Sequence, residues 1–208
     1  MTPETQMNKQ FKILNQQTVY NGFFKLESYQ LTHTLFEGGW SEPIQRELFR
    51  RNNCVGVLLY DPNRDEIVIL EQFRVGAILH ATAEQAWLLE IVAGGIEEGE
   101  TAEQVAYREA EEEAGCKIEK LMLINEFYTS PGGASERLSL FCGKVDSSNV
   151  NGVYGLAEEN EDILVTAISF SEAFNLLEQG RIESAIPIIA IQWLALNRDK
   201  LRAKWLNN

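Results

Sequence analysis

Between residues 94 and 115 the chain reads Gly94-Gly-Ile-Glu-Glu-Gly-Glu100-Thr-Ala-Glu-Gln-Val-Ala-Tyr-Arg108-Glu-Ala-Glu-Glu-Glu-Ala-Gly115. Thr101 and Gln104 fit a capping box, in which the Thr side chain accepts from the N3 amide and the Gln side chain reaches back. A helix over Ala102–Ala114 follows, stopped by Gly115 in the left-handed conformation. At 100° per residue, Glu109, Glu112 and Glu113 share one face, because positions i, i+3 and i+4 do. Ala102, Val105 and Ala106 project from the same side, so these carboxylates lie on the stripe that faces the protein. Glu103 and Glu111 point elsewhere.

Inward carboxylates do not stand alone. Each like-charge pair at this spacing costs about 0.2–0.5 kcal/mol even on an exposed helix, and burial adds to that. A hard divalent cation with oxygen ligands resolves the conflict, and Mg²⁺ is the usual ion beside phosphates. Glu100 sits at the helix entrance and joins the cluster from the loop, while Arg108, four residues before Glu112, is placed to orient it. The competing reading is a solvated acidic helix. The apolar stripe on the same face and the glycine-bounded loop before it argue against that.

Outward from this segment, residues 11–50 carry β-type patterning: Phe11-Lys-Ile-Leu, Val19 to Tyr29, and Leu31 to Phe36, with a turn at Glu37-Gly-Gly-Trp40. Val55–Tyr60 and Ile67–Phe73 read as a hairpin joined by the turn-rich Asp61-Pro-Asn-Arg-Asp65. Short strands follow at Leu88–Val92, Leu121–Phe127, Leu138–Val145 and Ile163–Ser169. Ser171 is expected to cap a helix ending at Gly180, and Ser184 one running to about Trp205, with Pro187 tolerated in its first turn. Strands and helices interleave without βαβ regularity. The expected fold class is therefore α/β (α+β), a mixed-sheet α/β/α sandwich with an N-terminal β-strand appendage.

The 208 residues suffice for one well-buried domain. The net charge of −13 repels nucleic acid and anionic membrane, so neither is expected as a partner. Cys54, Cys116 and Cys142 are odd in number and form no C-x-x-C, against a disulfide framework or zinc ribbon. The polar N-terminus and the absence of an 18-residue apolar run predict no leader or membrane span, hence a cytoplasmic protein. His33 and His80 are the only histidines, and nothing places either in a triad with a Ser or Cys nucleophile.

The pattern Gly94, five residues, Glu100, seven residues, then Arg108-Glu109-Ala110-Glu111-Glu112-Glu113-Ala114-Gly115-Cys116 resembles the complete Nudix box, with every fixed position filled. The resemblance implies the Nudix fold and hydrolysis of nucleoside diphosphates linked to another moiety. Two or three Mg²⁺ ions, with Mn²⁺ as the substitute, would be held by Glu109 and Glu113, with Glu112 in the cluster and the Ala93 carbonyl as a further ligand. Pro131 in Ser130-Pro131-Gly132-Gly133 lies sixteen residues after Gly115. With Glu136 following, this is similar to the ADP-ribose pyrophosphatase subgroup, and the similarity extends from about Tyr20 to Trp205. It implies a homodimer in which an N-terminal region, residues 1–50, is exchanged beside a hydrolase domain of 51–208.

That subgroup further implies substrate contacts at Arg46, Arg74, Glu136, Pro131 and Gly132. It also implies an adenine stack on Phe23 or Phe24, although either Phe also reads as core and Arg46 as a surface strand residue. The stretch from Val75 to Trp87 is longer than the resemblance leads one to expect. In the acidic loop Leu156–Asp162, Glu159 aligns with the water-activating base and Glu161 with a group approaching a metal. The expected reaction yields AMP and ribose 5-phosphate from ADP-ribose. The alternatives are GDP-mannose or another nucleotide sugar, a dinucleotide, a non-catalytic ADP-ribose sensor, or a purely structural protein.

Overall fold

The computed structural model describes residues 8–79, 82 and 84–207. His80, Ala81 and Ala83, within the long segment before Trp87, lie outside the described residues, as do Met1–Met7 of the polar N-terminus and Asn208. The described residues fall into two compact units, one drawn from residues 8–52 with Tyr128–Arg137, the other from the described residues of 53–127 with 138–207.

The first unit is built on a three-stranded antiparallel sheet, β1 (Phe11–Asn21), β2 (Lys25–His33) and β3 (Ile44–Arg50), in that order. The sequence pattern broke β1 at Asn15–Thr18 and ran Val19 on to Tyr29. The chain instead turns at Gly22–Phe24 and pairs Asn21 with Lys25. Asn15 to Thr18 are polar on both faces, yet they stay in the strand because the ladder to β2 supplies their partners, with register shifts on either side. Gly38 and Gly39, both at positive φ, make the expected β2–β3 turn.

The second unit holds an eight-stranded mixed sheet. Its strands are β4 (Cys54–Asp61), β5 (Glu66–Phe73), β6 (Trp87–Glu90), β7 (Val92–Gly95), β8 (Lys120–Tyr128), β9 (Arg137–Lys144), β10 (Asn151–Tyr154) and β11 (Ile163–Ser169). The path runs β10-β11-β5-β4-β9-β8, and β4 with β9 is parallel. Because strand side chains alternate, β4 feeds two cores. Val55, Val57 and Leu59 meet α1 (Ala102–Ala114), and Leu58 and Tyr60 meet the layer of α2 (Phe170–Glu178) and α3 (Ala185–Leu206). Coverage on both faces makes this strand a continuous apolar run, and the sandwich expected from sequence is what forms.

The β4–β5 hairpin pairs only next to its turn, at Tyr60↔Ile67 and Asp61↔Glu66. Beyond that the two strands separate, and the gap is filled by β7 along β4 and β6 along β5. The single strand expected at Leu88–Val92 is therefore two, broken at Ile91, and this wedge presents Ala93 and Gly94 next to α1. Strand β10 has no clear apolar alternation and was not anticipated. The cap of α2 is Ser169, whose hydroxyl accepts from the Glu172 amide, in place of Ser171. Ser169 ends β11 with extended backbone, the conformation an N-cap requires. No helix among the described residues is long and apolar enough to cross a membrane.

Candidate active site

Helix α1 begins and ends as its sequence dictates. The Thr101 hydroxyl accepts from the Gln104 amide at 3.2 Å, and the Gln104 side chain accepts from the Thr101 amide at 2.8 Å. Gly115 takes φ 61° at its end. Between these limits Val105, Ala106, Ala110 and Ala114 seal the helix onto the sheet, and Glu113 is buried with them at 3% exposure. Its Oε2 accepts from the Ala93 amide at 2.9 Å. Ala93 thus meets Glu113 through its N–H.

Arg108 organises the remaining acids. Its Nε and Nη2 donate to the Glu100 carboxylate at 3.1 and 3.3 Å, and its Nη1 donates to Glu109 at 2.7 Å and to Glu112 at 2.9 Å. The expected Arg108–Glu112 pair is present, and the same guanidinium also holds Glu100 and Glu109. At Gly94 an added Cβ would collide with the Glu109 carboxylate. The glycine is therefore a cradle for that side chain.

Burial dominates the acidities. It pushes Glu113 up to about 8, opposed by the Ala93 amide and Arg74 and reinforced by the charges of Glu109 and Glu161. Burial likewise pushes Glu109 up to about 7, against the attraction of Arg108 and with added repulsion from Glu112 and Glu161. Glu100, gripped by Arg108, is held below the ordinary carboxylate range. Burial of two neighbouring carboxylates is a cost that a nearby positive charge would lower. Their hard oxygen donors suit a divalent cation of the Mg²⁺ type. Among the described residues no three acidic, His or Cys side chains converge on one point to share an ion. Glu109 and Glu112 accept from Arg108 instead.

Arg74 donates to Glu90 at 2.7 Å through both Nε and Nη2, and its charge is felt at Glu113. In the acidic loop, Ala157–Glu159 form a 3-10 turn that leaves Glu159 exposed. Glu161 is turned inward, its Oε2 accepting from the Leu156 amide at 3.1 Å, and it is the loop acid that acts on Glu109 and Glu113.

The other expected substrate residues gather in the first unit. Phe23 is almost fully exposed at 96%, at the β1–β2 turn. Phe24 lies edge-on to it, 4.8 Å between centroids, and packs 4.9 Å from Phe49. The Arg51 guanidinium sits 5.2 Å from the Phe24 ring and ion-pairs Glu136 at 3.2 Å. Glu136 is buried and also accepts from Thr129 at 3.1 Å. Pro131 and Gly132 form the turn between them, closed by the Gly133 and Ala134 amides on the Ser130 carbonyl. Arg46 stands exposed on β3, its guanidinium donating to the Gln45 carbonyl. Sequence reasoning missed Arg51, which lies 85 positions from Glu136, and no local spacing advertises that pair.

A mixed-sheet sandwich with a capped helix that gathers four box glutamates and an arginine against a glycine cradle is the architecture of one family. The NUDIX domain model matches residues 50–186, and the chain belongs to the Nudix family. It is 44% identical over 203 residues to the ADP-ribose pyrophosphatase of Escherichia coli (strain K12), covering 98% of this chain and 96% of that protein. It is 35% identical to the GDP-mannose pyrophosphatase of Cronobacter sakazakii over 73% of this chain and 78% of that one. A crystal structure described as an ADP compounds hydrolase shares the fold, with a TM-score of 0.68, 21% identity, and coverage of 94% of this chain and 96% of that one.

Proposed function

We propose that the protein hydrolyses the pyrophosphate of ADP-ribose, releasing AMP and ribose 5-phosphate. The observation that carries this reading is the α1 carboxylate cluster, in which Glu113 is buried with no cationic partner in hydrogen-bond contact among the described residues and the half-buried Glu109 shares Arg108 with two other acids. Identity of 44% over nearly the whole chain to an ADP-ribose pyrophosphatase supports the choice of substrate over GDP-mannose, whose pyrophosphatases match at 35% over a shorter span or at 28% over a similar one.

Glu109, Glu112 and Glu113 would hold the cation, Mg²⁺ with Mn²⁺ as substitute and two or three ions per site, with the Ala93 carbonyl and Glu161 as further donors. When bound, such an ion neutralises the pyrophosphate and raises the acidity of water. Arg108 keeps Glu109 and Glu112 oriented while that charge is delivered. Arg74 faces the phosphates across from Glu113. The acidic loop takes the proton from the attacking water, with Glu159 as its base and Glu161 facing the ions. No covalent intermediate is required. Phe23 or Phe24 stacks adenine, with Arg46, Glu136, Pro131 and Gly132 completing the substrate contacts.

We further propose a cytoplasmic homodimer in which residues 1–50 are exchanged beside a hydrolase domain of 51–208, with no nucleic acid or membrane as a partner. Strand β1 exposes Phe11, Ile13, Leu14, Val19 and Tyr20, and an isolated sheet with an uncovered apolar face is marginal in water. Incubation with ADP-ribose and Mg²⁺, beside GDP-mannose and NADH, tests the activity. AMP and ribose 5-phosphate from ADP-ribose, abolished by EDTA, is the expected result. Intact ADP-ribose with cleavage of another substrate overturns the substrate assignment. Sedimentation as a monomer overturns the exchange.

A further inference from the structure

We propose that Tyr154 and Gly155 form a strap that fixes Glu161 of the acidic loop to the C-terminal end of α1, with Tyr154 as a positioning residue of the site. The inference rests on the reading of Glu161 as a working carboxylate. It starts from the end of α1, where the last carbonyls of a helix lack intrahelical partners. The Gly115 amide takes the Glu111 carbonyl and the Cys116 amide takes that of Ala110. The Glu112 carbonyl is taken by the Gly155 amide, 3.3 Å away and just beyond the end of β10. One backbone bond thus joins the residue after β10 to the middle of the box acids.

Two further contacts stiffen the join. The Tyr154 ring lies against the Gly115 backbone so closely that an added Cβ would collide with it. The closing glycine of the box is therefore needed for its φ of 61° and also as a seat for this ring. Gly155, at φ 102°, leaves the space in which Glu161 sits: a Cβ there would be 2.6 Å from the Glu161 Cβ. Glu161 is tied to Leu156 twice, its amide donating to the Leu156 carbonyl at 3.2 Å and its carboxylate accepting from the Leu156 amide at 3.1 Å. From Glu112 through Tyr154, Gly155 and Leu156 to Glu161, each link is a named contact. Loss of the ring releases the loop from the helix without removing any acid.

The test is a kinetic cycle combined with amide exchange on the full chain. Tyr154→Ala should lower kcat for ADP-ribose about 10- to 100-fold, the scale of a carboxylate misplaced by about 1 Å, with KM changed less than about threefold. Tyr154→Phe, which keeps the ring, should restore wild-type values. In a Glu161→Gln background, Tyr154→Ala should have almost no further effect on kcat, because both changes remove one function. Independent, multiplicative effects overturn the strap, since Tyr154 would then act only through packing. Exchange at the Gly155 and Leu156 amides should accelerate in Tyr154→Ala while α1 amides keep their protection, and unchanged exchange at both overturns it as well. If Glu161→Gln itself keeps wild-type kcat, the reading of Glu161 fails, and the exchange result alone decides whether the strap exists.

Discussion

The box helix and the aromatic–arginine cluster of the first unit hold their charges in opposite ways. In the box, three carboxylates, Glu100, Glu109 and Glu112, converge on one guanidinium, Glu113 lies beside them on the Ala93 amide, and the two most buried, Glu109 and Glu113, are raised well above the ordinary range. In the first unit, one carboxylate, Glu136, meets one guanidinium, Arg51, and one hydroxyl, Thr129, so its charge is matched locally. On the proposed reading, the first arrangement carries electrostatic strain that a divalent cation would relieve. The second is already neutral and presents an aromatic surface, Phe23 and Phe24, to the solvent. On the proposed function, strain at one place and satisfaction at the other would separate a group that does chemistry from one that only holds a ligand.

The sharpest way to break that contrast is to remove box charges singly. Glu112→Gln and Glu113→Gln should each lower turnover by orders of magnitude while the fold survives, as an unchanged circular dichroism spectrum would show. Near-wild-type turnover in both would remove the metal-cluster reading altogether. A smaller effect, about 10²-fold in kcat, is expected for Gly94→Ala, because the added methyl displaces the Glu109 carboxylate from its cradle. A variant with normal kcat would mean that Glu109 can shift without consequence.

Changes in the first unit should act on binding. Phe24→Ala should raise KM for ADP-ribose about tenfold, the scale of one lost base stack, and leave kcat within about threefold. A fall in kcat as large as that of Gly94→Ala would erase the distinction between the two regions. If KM does not move, Phe24 is core, held by Phe49.

The two regions also differ in how far the sequence discloses them. The box is legible because its parts lie within one loop and one helix, where spacing translates directly into a shared face. Thr101, Gln104, Arg108 and Gly115 all act as their positions imply. The β4–β5 hairpin was legible for the same local reason. Arg51 with Glu136, Arg74 with Glu90, and Tyr154 with Gly115 were not, since each pair is created by tertiary packing across a long sequence separation. Ser169 and Ser171 show a finer limit. Both are cap residues by type, and the choice was made by where β11 ends, which no spacing rule contains.

The smallest effect expected is in stability against pH, and it tests the stored strain directly. Glu113 and Glu109 titrate near 8 and 7 in the folded chain, against 4.5 as the ordinary value. The folded state thus binds protons that the unfolded chain has already released, so their contribution to stability is complete below about pH 4.5. It is lost as pH rises through 7 to 8, at no more than about 1.4 kcal/mol per pH unit for each group. In EDTA, the denaturant midpoint should fall between pH 6 and pH 9. Saturating Mg²⁺ should remove most of that fall, because the cation binds the deprotonated carboxylates and its affinity rises over the same window. General repulsion within a chain of net charge −13 also grows with pH, so Glu113→Gln is the control. Its midpoint in EDTA should fall distinctly less. A fall equal to that of the wild type would place the pH sensitivity in the overall charge, and the box would carry no more strain than the paired Glu136 of the first unit.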